Sequence, residues 1–369
     1  MHIDAEFEWP ANPMLAPDLE SLPPHIWIRL HDRHQVQRRL RVSLTDNCNF
    51  GCFFCHNEGQ GPLKPARMPT LSGTEIVSLV RIALSEGVTK VKLTGGEPLL
   101  YRDGPDDVVA LVGSLAALRR AGPAFDLSVT TNGSLLPRFA DRLAAAGLDR
   151  VTMSMTTVDD STFGRLIASN PRLLDLSLAG LAAARDAGLK PLKLNMALYH
   201  SAERSLGNMG ELHRILDIAT AHDVSELRLF TLLWHDDFPA FQEFYQFFSP
   251  YMRAQLTSLL RQCDVVAPSE TVEILSRLAV SFADRLYPKV EFGVDLGYLK
   301  IGFEAMKFGR LANRSKLQEG PYAMRIAADG TLRATLSGPA HSELIDGVRS
   351  GRCDEELRLL YRKAVEEMP

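Results

Sequence analysis

At 369 residues the chain is long enough for one large α/β domain with its own core, and 46% hydrophobic with 23% charged residues is the composition of a soluble globular protein. A formal net charge of −4 argues against a non-specific nucleic-acid binder, which needs a basic surface. No apolar run reaches membrane-spanning length, the acidic start Met1-His2-Ile3-Asp4-Ala5-Glu6 lacks the apolar core of a secretory signal, and five cysteines with three on one short loop do not form a disulfide framework. A cytoplasmic protein is expected, with no nucleic-acid or membrane partner.

Residues 1–37 are rich in proline, as in Trp9-Pro10 and Leu22-Pro23-Pro24, and read as an extension wrapped on the body or partly loose. Leu40-Arg41-Val42-Ser43-Leu44 alternates apolar and polar residues, the strand signature. Behind it comes Cys48-Asn49-Phe50-Gly51-Cys52-Phe53-Phe54-Cys55, with cysteines spaced C-x3-C-x2-C. Thiolates crowded on so short a loop suit a soft metal centre. An iron–sulfur cube usually takes four cysteines, so three would leave one iron open to a small molecule. Two other readings stand beside this one. The thiols are inert and buried, or they bind zinc with His56 as fourth ligand, which strains the tetrahedron because Cys55 and His56 are adjacent.

Ser72 followed by Glu75 has capping-box spacing and opens a helix that stops near Gly87. Lys90-Val91-Lys92-Leu93-Thr94 is the next strand, followed at once by Gly95-Gly96-Glu97-Pro98. Two glycines let a backbone approach a ligand closely, and a carboxylate can hold an ammonium group. Helices are predicted over 108–118, 136–146, 173–187 and 209–221, and strands over 125–130, 150–155, 191–198 and 226–233. Six strands, five of them followed by helical segments, predict a parallel α/β barrel, open or closed, with chemistry at the strand C-terminal ends. Thr130, Thr131 and Asn132 end the third strand and Ser154 the fourth. Their short polar side chains can reach a ribose or carboxylate, or simply cap the strand ends. Lys193 and Arg228 fall inside apolar strands, where a charge rarely faces a core unless paired. They are expected to point into the lumen and hold anionic groups.

Beyond residue 236 the pattern changes. Phe241, Phe244, Tyr245, Phe247, Phe248 and Tyr251 are expected to pack on the barrel. Helices over 252–260 and 271–279 follow, then a hairpin turning at Asp329-Gly330, which suits a tight primed turn, and a charged helix over 354–367. Cys263 and Cys353 stand alone and read as structural. The expected division is an extension (1–37), a barrel (38–235) and a substrate-covering C-terminal region (236–369).

The cysteine spacing, with Gly-Gly-Glu-Pro one helix and one strand later, resembles the radical S-adenosylmethionine (SAM) superfamily. Within it, Leu40 through Phe50, Cys55-His56-Asn57-Glu58-Gly59, Lys92 through Leu100, the Thr-Thr-Asn-Gly run and Leu148-Asp149-Arg150-Val151 with Ser154 are similar to the MoaA-like, GTP 3',8-cyclase family. The likeness covers about residues 38–235. It implies a partial (βα)6 TIM-type barrel with a smaller C-terminal α+β extension. It implies one [4Fe–4S] cluster on Cys48, Cys52 and Cys55, with Gly95, Gly96 and Glu97 holding the amino group of SAM and Phe54 and Ser154 also touching it. Arg41, Lys92, Thr130 and Lys193 match positions that contact the nucleotide substrate.

The C-terminal third departs from that family. Gln318, Pro321 and Thr335 stand where cysteines of a second cluster would fall, and of an arginine pair Arg325 remains while Ala323 replaces the other. The expectation is therefore a single-cluster enzyme, of lyase or oxidoreductase type. A donor such as flavodoxin or ferredoxin supplies the electron that cleaves SAM, and the 5'-deoxyadenosyl radical takes hydrogen from a polar, anionic small molecule. A nucleoside or sugar acid fits, as in decarboxylation of a cytosylglucuronate-type nucleoside or a dehydration. The hairpin is expected to close the barrel mouth, with Arg325 offered to an anionic group. The alternatives are a divergent GTP 3',8-cyclase, a peptide-modifying radical SAM enzyme and a non-enzymatic zinc-binding scaffold.

Overall fold

The computed structural model describes residues 19, 21–31, 38–52, 54–55, 70–120, 122–167, 169–198, 200–201, 206–231, 250–283, 289–306, 323–333 and 340–366. His56, the aromatic residues between 241 and 248, Gln318, Pro321 and Thr335 lie outside them. The principal strands are β1 (Ile26–His31), β2 (Arg39–Ser43), β3 (Lys90–Thr94), β4 (Asp126–Thr131), β5 (Arg150–Ser154), β6 (Lys193–Leu198), β7 (Glu226–Thr231), β8 (Lys289–Asp295), β9 (Lys300–Met306), β10 (Met324–Ile326) and β11 (Leu332–Arg333). The chain divides into two compact units, each assembled from separated stretches.

One unit comprises residues 33–154, 163–192 and 321–369. Its strands run in the order β5-β4-β3-β2-β10-β11. All pairs from β5 to β10 are parallel, and β11 returns antiparallel. Parallel sheets covered on both faces usually read as unbroken apolar runs. Here the strands alternate instead. Leu40, Val42, Val91, Leu93, Leu127, Val129 and Val151 are buried on one face. Arg41, Ser43, Lys92, Thr94, Ser128, Thr130 and Thr152 occupy the other, as the period of two requires. One face is therefore built as a core and the other from polar groups.

The helix Gly73–Ser85 begins as its sequence predicts. The Ser72 side chain accepts from the Glu75 N–H, and the Glu75 carboxylate accepts from the Ser72 N–H at 2.8 Å. Ile76, Leu79 and Val80, at helical spacing, carry its buried face. Asp107 likewise caps Val108–Ala117 by accepting from the Val109 N–H at 2.9 Å.

The other unit comprises residues 1–32, 155–162 and 193–320. Its strands run β1-β8-β9-β7-β6, with β6, β7 and β9 parallel and β1 and β8 antiparallel to their neighbours. Three features differ from the sequence reading. Residues 26–31, expected as part of a wrapping extension, form a strand paired with β8. The hairpin β8–β9 adds a parallel neighbour beyond the six expected strands. In the first unit, the first strand of the Asp329-Gly330 hairpin joins the parallel sheet, β10 lying directly beside β2. Its turn is also wider than a two-residue loop, closed by the Ala327 N–H donating to the Thr331 carbonyl at 2.9 Å. No helix among the described residues is long and apolar enough to cross a membrane.

A candidate cluster and cofactor site

The cysteine loop leaves the C-terminal end of β2, and the Gly-Gly-Glu-Pro turn leaves the C-terminal end of β3 beside it. Backbone bonds fasten the two together. The Gly96 N–H donates to the Thr45 carbonyl at 2.6 Å, and the Glu97 N–H to the Asn47 carbonyl at 2.7 Å. A Cβ on Gly96 would lie 2.3 Å from the Asn47 carbonyl oxygen, and one on Gly95 2.5 Å from that of Thr45. Gly95 also has φ +138°, which side-chain-bearing residues rarely adopt. The glycines are therefore required by the approach of this turn to the cysteine loop. The close approach these glycines permit is that of one backbone to another.

Cys48, Cys52 and Cys55 are free thiols of intermediate exposure. The Cys55 N–H donates to the Cys52 carbonyl at 3.0 Å, which turns the loop back on itself. Burial pushes the Cys48 thiol up to about 12, with Glu97 and Cys55 adding to it. Burial also raises Cys52, and the other two cysteines raise it further. Three cysteines within eight residues of one loop are a soft donor set that a cationic centre stabilises, because a metal takes the place of their protons. The loop fits a three-thiolate iron–sulfur cluster on this chemistry. Phe54 lies inside it, between Cys52 and Cys55.

Glu97 is 1% exposed and spends both oxygens on the protein. Oε1 accepts from the Thr131 hydroxyl at 2.7 Å and the Leu99 N–H at 3.0 Å, and Oε2 from the Asn132 N–H at 2.8 Å. Burial pushes its carboxyl up to about 6 against these bonds. Thr131 and Asn132, which sequence reading offered to a ribose or carboxylate, are thus buried supports of the turn. The Asn132 side chain also joins Asn49 of the cysteine loop at 2.8 Å and Ser134 at 2.7 Å. Ser154, in contrast, is exposed at the end of β5.

The polar sheet face carries its cations in a row. Arg325 pairs in register with Arg41, and Arg41 with Lys92, on three adjacent parallel strands. Arg325 is 4% exposed. Thr130 stands one step further along the same face, opposite Thr152. Two buried hydroxyls of this face, Ser43 Oγ and Thr152 Oγ1, have no hydrogen-bond partner among the described residues. Buried polar atoms are normally paired, so such groups mark a surface that a polar ligand would complete.

Lys193 and Arg228 belong to the other unit, in a buried ionic group of their own. Lys193 is bonded to Glu226 Oε2. Arg228 meets Glu226 Oε1 at 2.5 Å and Glu291 Oε1 at 3.2 Å. Arg29 and the His31 ring each stand 3.1 Å from Glu291 Oε2. Burial and the Arg228 charge hold Lys193 below the usual lysine range. Glu226 is held below the usual carboxylate range: burial works against it, and Arg228 and Lys193 outweigh burial. Sequence reading found the cations and missed Glu226 and Glu291, although each sits at a polar position of an alternating strand.

The sequence profile of the Radical SAM superfamily matches residues 42–204. A probable GTP 3',8-cyclase of Thermococcus kodakarensis is 31% identical over 342 residues, covering 91% of this chain and 97% of its own. The chain belongs to the radical SAM superfamily, as a MoaA-like, GTP 3',8-cyclase-like member. A probable GTP 3',8-cyclase of Methanosarcina mazei is 29% identical over 340 residues, 88% of this chain and 84% of that one. The crystal structure of Streptococcus suis SuiB bound to S-adenosylmethionine superposes with a TM-score of 0.53 at 14% identity, covering 86% of this chain and 67% of that one. The fold is thus the α/β, TIM-type fold of radical SAM enzymes. Membership of the superfamily brings a [4Fe–4S] cluster and SAM as cofactors.

Proposed function

We propose that this radical SAM enzyme acts on a small anionic molecule, a nucleoside or sugar acid, with a single cluster, in a lyase-type reaction such as decarboxylation or dehydration. The observation that carries this is the polar sheet face, with Arg325, Arg41 and Lys92 in register and the unpartnered hydroxyls of Ser43 and Thr152 on the same face. Cations gathered on one sheet face suit recognition of a carboxylate or phosphate, to which guanidinium groups donate charge-assisted hydrogen bonds.

In this reading Cys48, Cys52 and Cys55 hold the cluster. Gly95, Gly96 and Glu97 shape the turn against which the methionine end of SAM lies, with Phe54 and Ser154 at its flanks. Thr131 and Asn132 support that turn from behind. Arg41, Lys92, Arg325 and Thr130 bind and orient the substrate. Lys193 and Arg228, already engaged by Glu226 and Glu291, offer it less net charge. When bound, the cluster and SAM supply a 5'-deoxyadenosyl radical that abstracts hydrogen. A donor such as flavodoxin or ferredoxin delivers the electron in the cytoplasm.

GTP 3',8-cyclase activity is the second reading, because relatives matching nearly the whole chain carry that name. Against it stands the cysteine count: outside the loop there are only Cys263 and Cys353, too few for a second three-cysteine site. The test is anaerobic reconstitution, iron counting, and incubation with SAM, reductant and either GTP or a carboxylated nucleoside such as cytosylglucuronate. About four irons per chain, with 5'-deoxyadenosine formed on the carboxylated nucleoside, is the expected result. About eight irons and a cyclised GTP product would establish the second reading instead.

A further inference from the structure

Two cross-strand rows run side by side through the sheet of the cysteine-loop unit. Leu332, Ile326, Val42, Leu93, Val129 and Val151 are paired in register from β11 to β5, and all are buried. Their neighbours in sequence form the second row: Arg333, Arg325, Arg41, Lys92, Ser128 and Arg150. The period of two puts that row on the opposite face from the core. The line of cations therefore runs one strand further than Arg325. Arg333 stands directly opposite Arg325 on β11, where side chains of an antiparallel pair leave the backbone about 5 Å apart on the same face.

The two ends of the row differ. Arg150 is an answered cation: its Nε and Nη2 donate to the two carboxylate oxygens of Asp126, each at 2.7 Å. Arg333 has no such carboxylate among the described residues, and its Nε is buried without a hydrogen-bond partner. Solvent does not reach that nitrogen, so water does not satisfy it. A guanidinium keeps its charge and its donors at every working pH, and an unmet donor on a charged group costs more than one on a neutral group. An arginine with a purely structural role on this face would be answered as Arg150 is. The acceptor that Arg333 lacks has to arrive with a ligand. Length bears on which ligand. Neighbouring strands are about 4.8 Å apart, so Arg333 and Lys92 are about 14 Å apart at the backbone. One carboxylate or phosphate engages an adjacent pair of cations through bidentate bonds. It does not serve the whole line.

We propose that Arg333 is a specificity-determining residue that receives a second anionic group of the substrate, so that the row selects molecules with two anionic groups over molecules with one. This rests on the reading that Arg325, Arg41 and Lys92 bind the anionic end of the substrate. It narrows the substrate class to a molecule that bears a carboxylate or phosphate at each of two places.

The test is isothermal titration calorimetry on the full chain, reconstituted anaerobically, with two pairs of probes. Glutarate against butyrate reports a second carboxylate, and pyrophosphate against phosphate reports a second phosphate. In the wild type, the probe with two groups should bind about tenfold tighter than its one-group partner in at least one pair. The pair that shows the difference identifies the second group. Arg333→Met should abolish the difference and leave the one-group probe unchanged. Arg333→Lys, which keeps the charge without the bidentate fork, should restore part of it. Arg41→Met should weaken both members of a pair. A preference that survives in Arg333→Met overturns the inference and leaves the anion-binding face standing. Equal affinities within both pairs in the wild type also overturn it, whether or not the variant folds. A wild type that binds none of the probes overturns the anion-binding reading itself, and the role of Arg333 with it.

Discussion

Arg41 and Arg325 stand directly opposite each other on neighbouring parallel strands, one from early in the chain and one from its last fifth. Both guanidinium groups belong to the sheet face proposed to bind the substrate. A small dianion such as pyrophosphate or a dicarboxylate should therefore raise the melting temperature of the protein. The stabilisation follows RT ln(1 + [L]/Kd), about 2.7 kcal/mol at a hundredfold excess over Kd. Arg41→Met should remove most of this gain, and added salt should weaken it. Equal anion-induced shifts in wild type and variant would refute the assignment.

Glu97 should matter to the protein even without SAM. Its oxygens accept from three donors, and glutamine cannot match all three, since its NH2 group must face an N–H or a hydroxyl. Glu97→Gln should lower the stability of the metal-free, SAM-free protein at neutral pH by about 1–3 kcal/mol. The pH profile gives a second readout. Burial raises this carboxyl from 4.5 to about 6. The folded chain therefore binds the proton more tightly than the unfolded one. The contribution of this group is fully present below about 4.5 and lost as pH rises through about 6. That slope should vanish in the variant. A Glu97 that served SAM alone would leave the melting curve of the ligand-free protein untouched.

Substitution at Gly96 should act on the cluster as well as on SAM. The added Cβ meets backbone carbonyls of Asp46 and Asn47, which have no flexible end to yield. Gly96→Ala should destabilise the metal-free protein by at least the ~1–3 kcal/mol typical of overpacking. Iron uptake should fall with it. Normal iron content with only SAM binding lost would show that the two loops are less tightly coupled than their contacts indicate.

Glu226, itself buried, joins two partly buried cations. Removing it leaves Lys193 and Arg228 in a low-dielectric setting with Glu291 as the nearest remaining carboxylate partner of Arg228. Glu226→Ala should cost about 3–5 kcal/mol, the usual penalty for breaking a buried pair from one side. Urea denaturation of the metal-free protein measures this. A change below 1 kcal/mol would mean that water or a ligand already screens the group.

Much of this was legible in the sequence where the signal is local. Ser72 and Glu75 make both bonds of the capping box. The strands ending in the cysteine loop, the Gly-Gly-Glu-Pro turn and Thr131 fall where alternation and motif placed them. What escaped was non-local. Ile26-Trp27-Ile28-Arg29-Leu30-His31 alternates as a strand should, but it follows two prolines and its partner lies in residues 289–294. Lys193 and Arg228 were visible as charges in strands, while Glu226 and Glu291 became their partners only through the pairing of β1, β6, β7, β8 and β9. Asn49, Asn132 and Ser134 are ordinary loop residues one at a time. Only the fold brings them into a ring of hydrogen bonds.

The pairing of Ile26–His31 with Lys289–Asp295 also sets a schedule for biosynthesis. The first strand leaves the ribosome long before its partner exists. At about 5–20 residues per second, its backbone donors and acceptors wait on the order of tens of seconds for that partner. During this interval the unit containing β1 lacks its outer strands, whereas most of the cysteine-loop unit has already been made. A nascent chain stalled before residue 289 should therefore bind trigger-factor-type holdases through its early apolar strand, and release them once β8 has emerged.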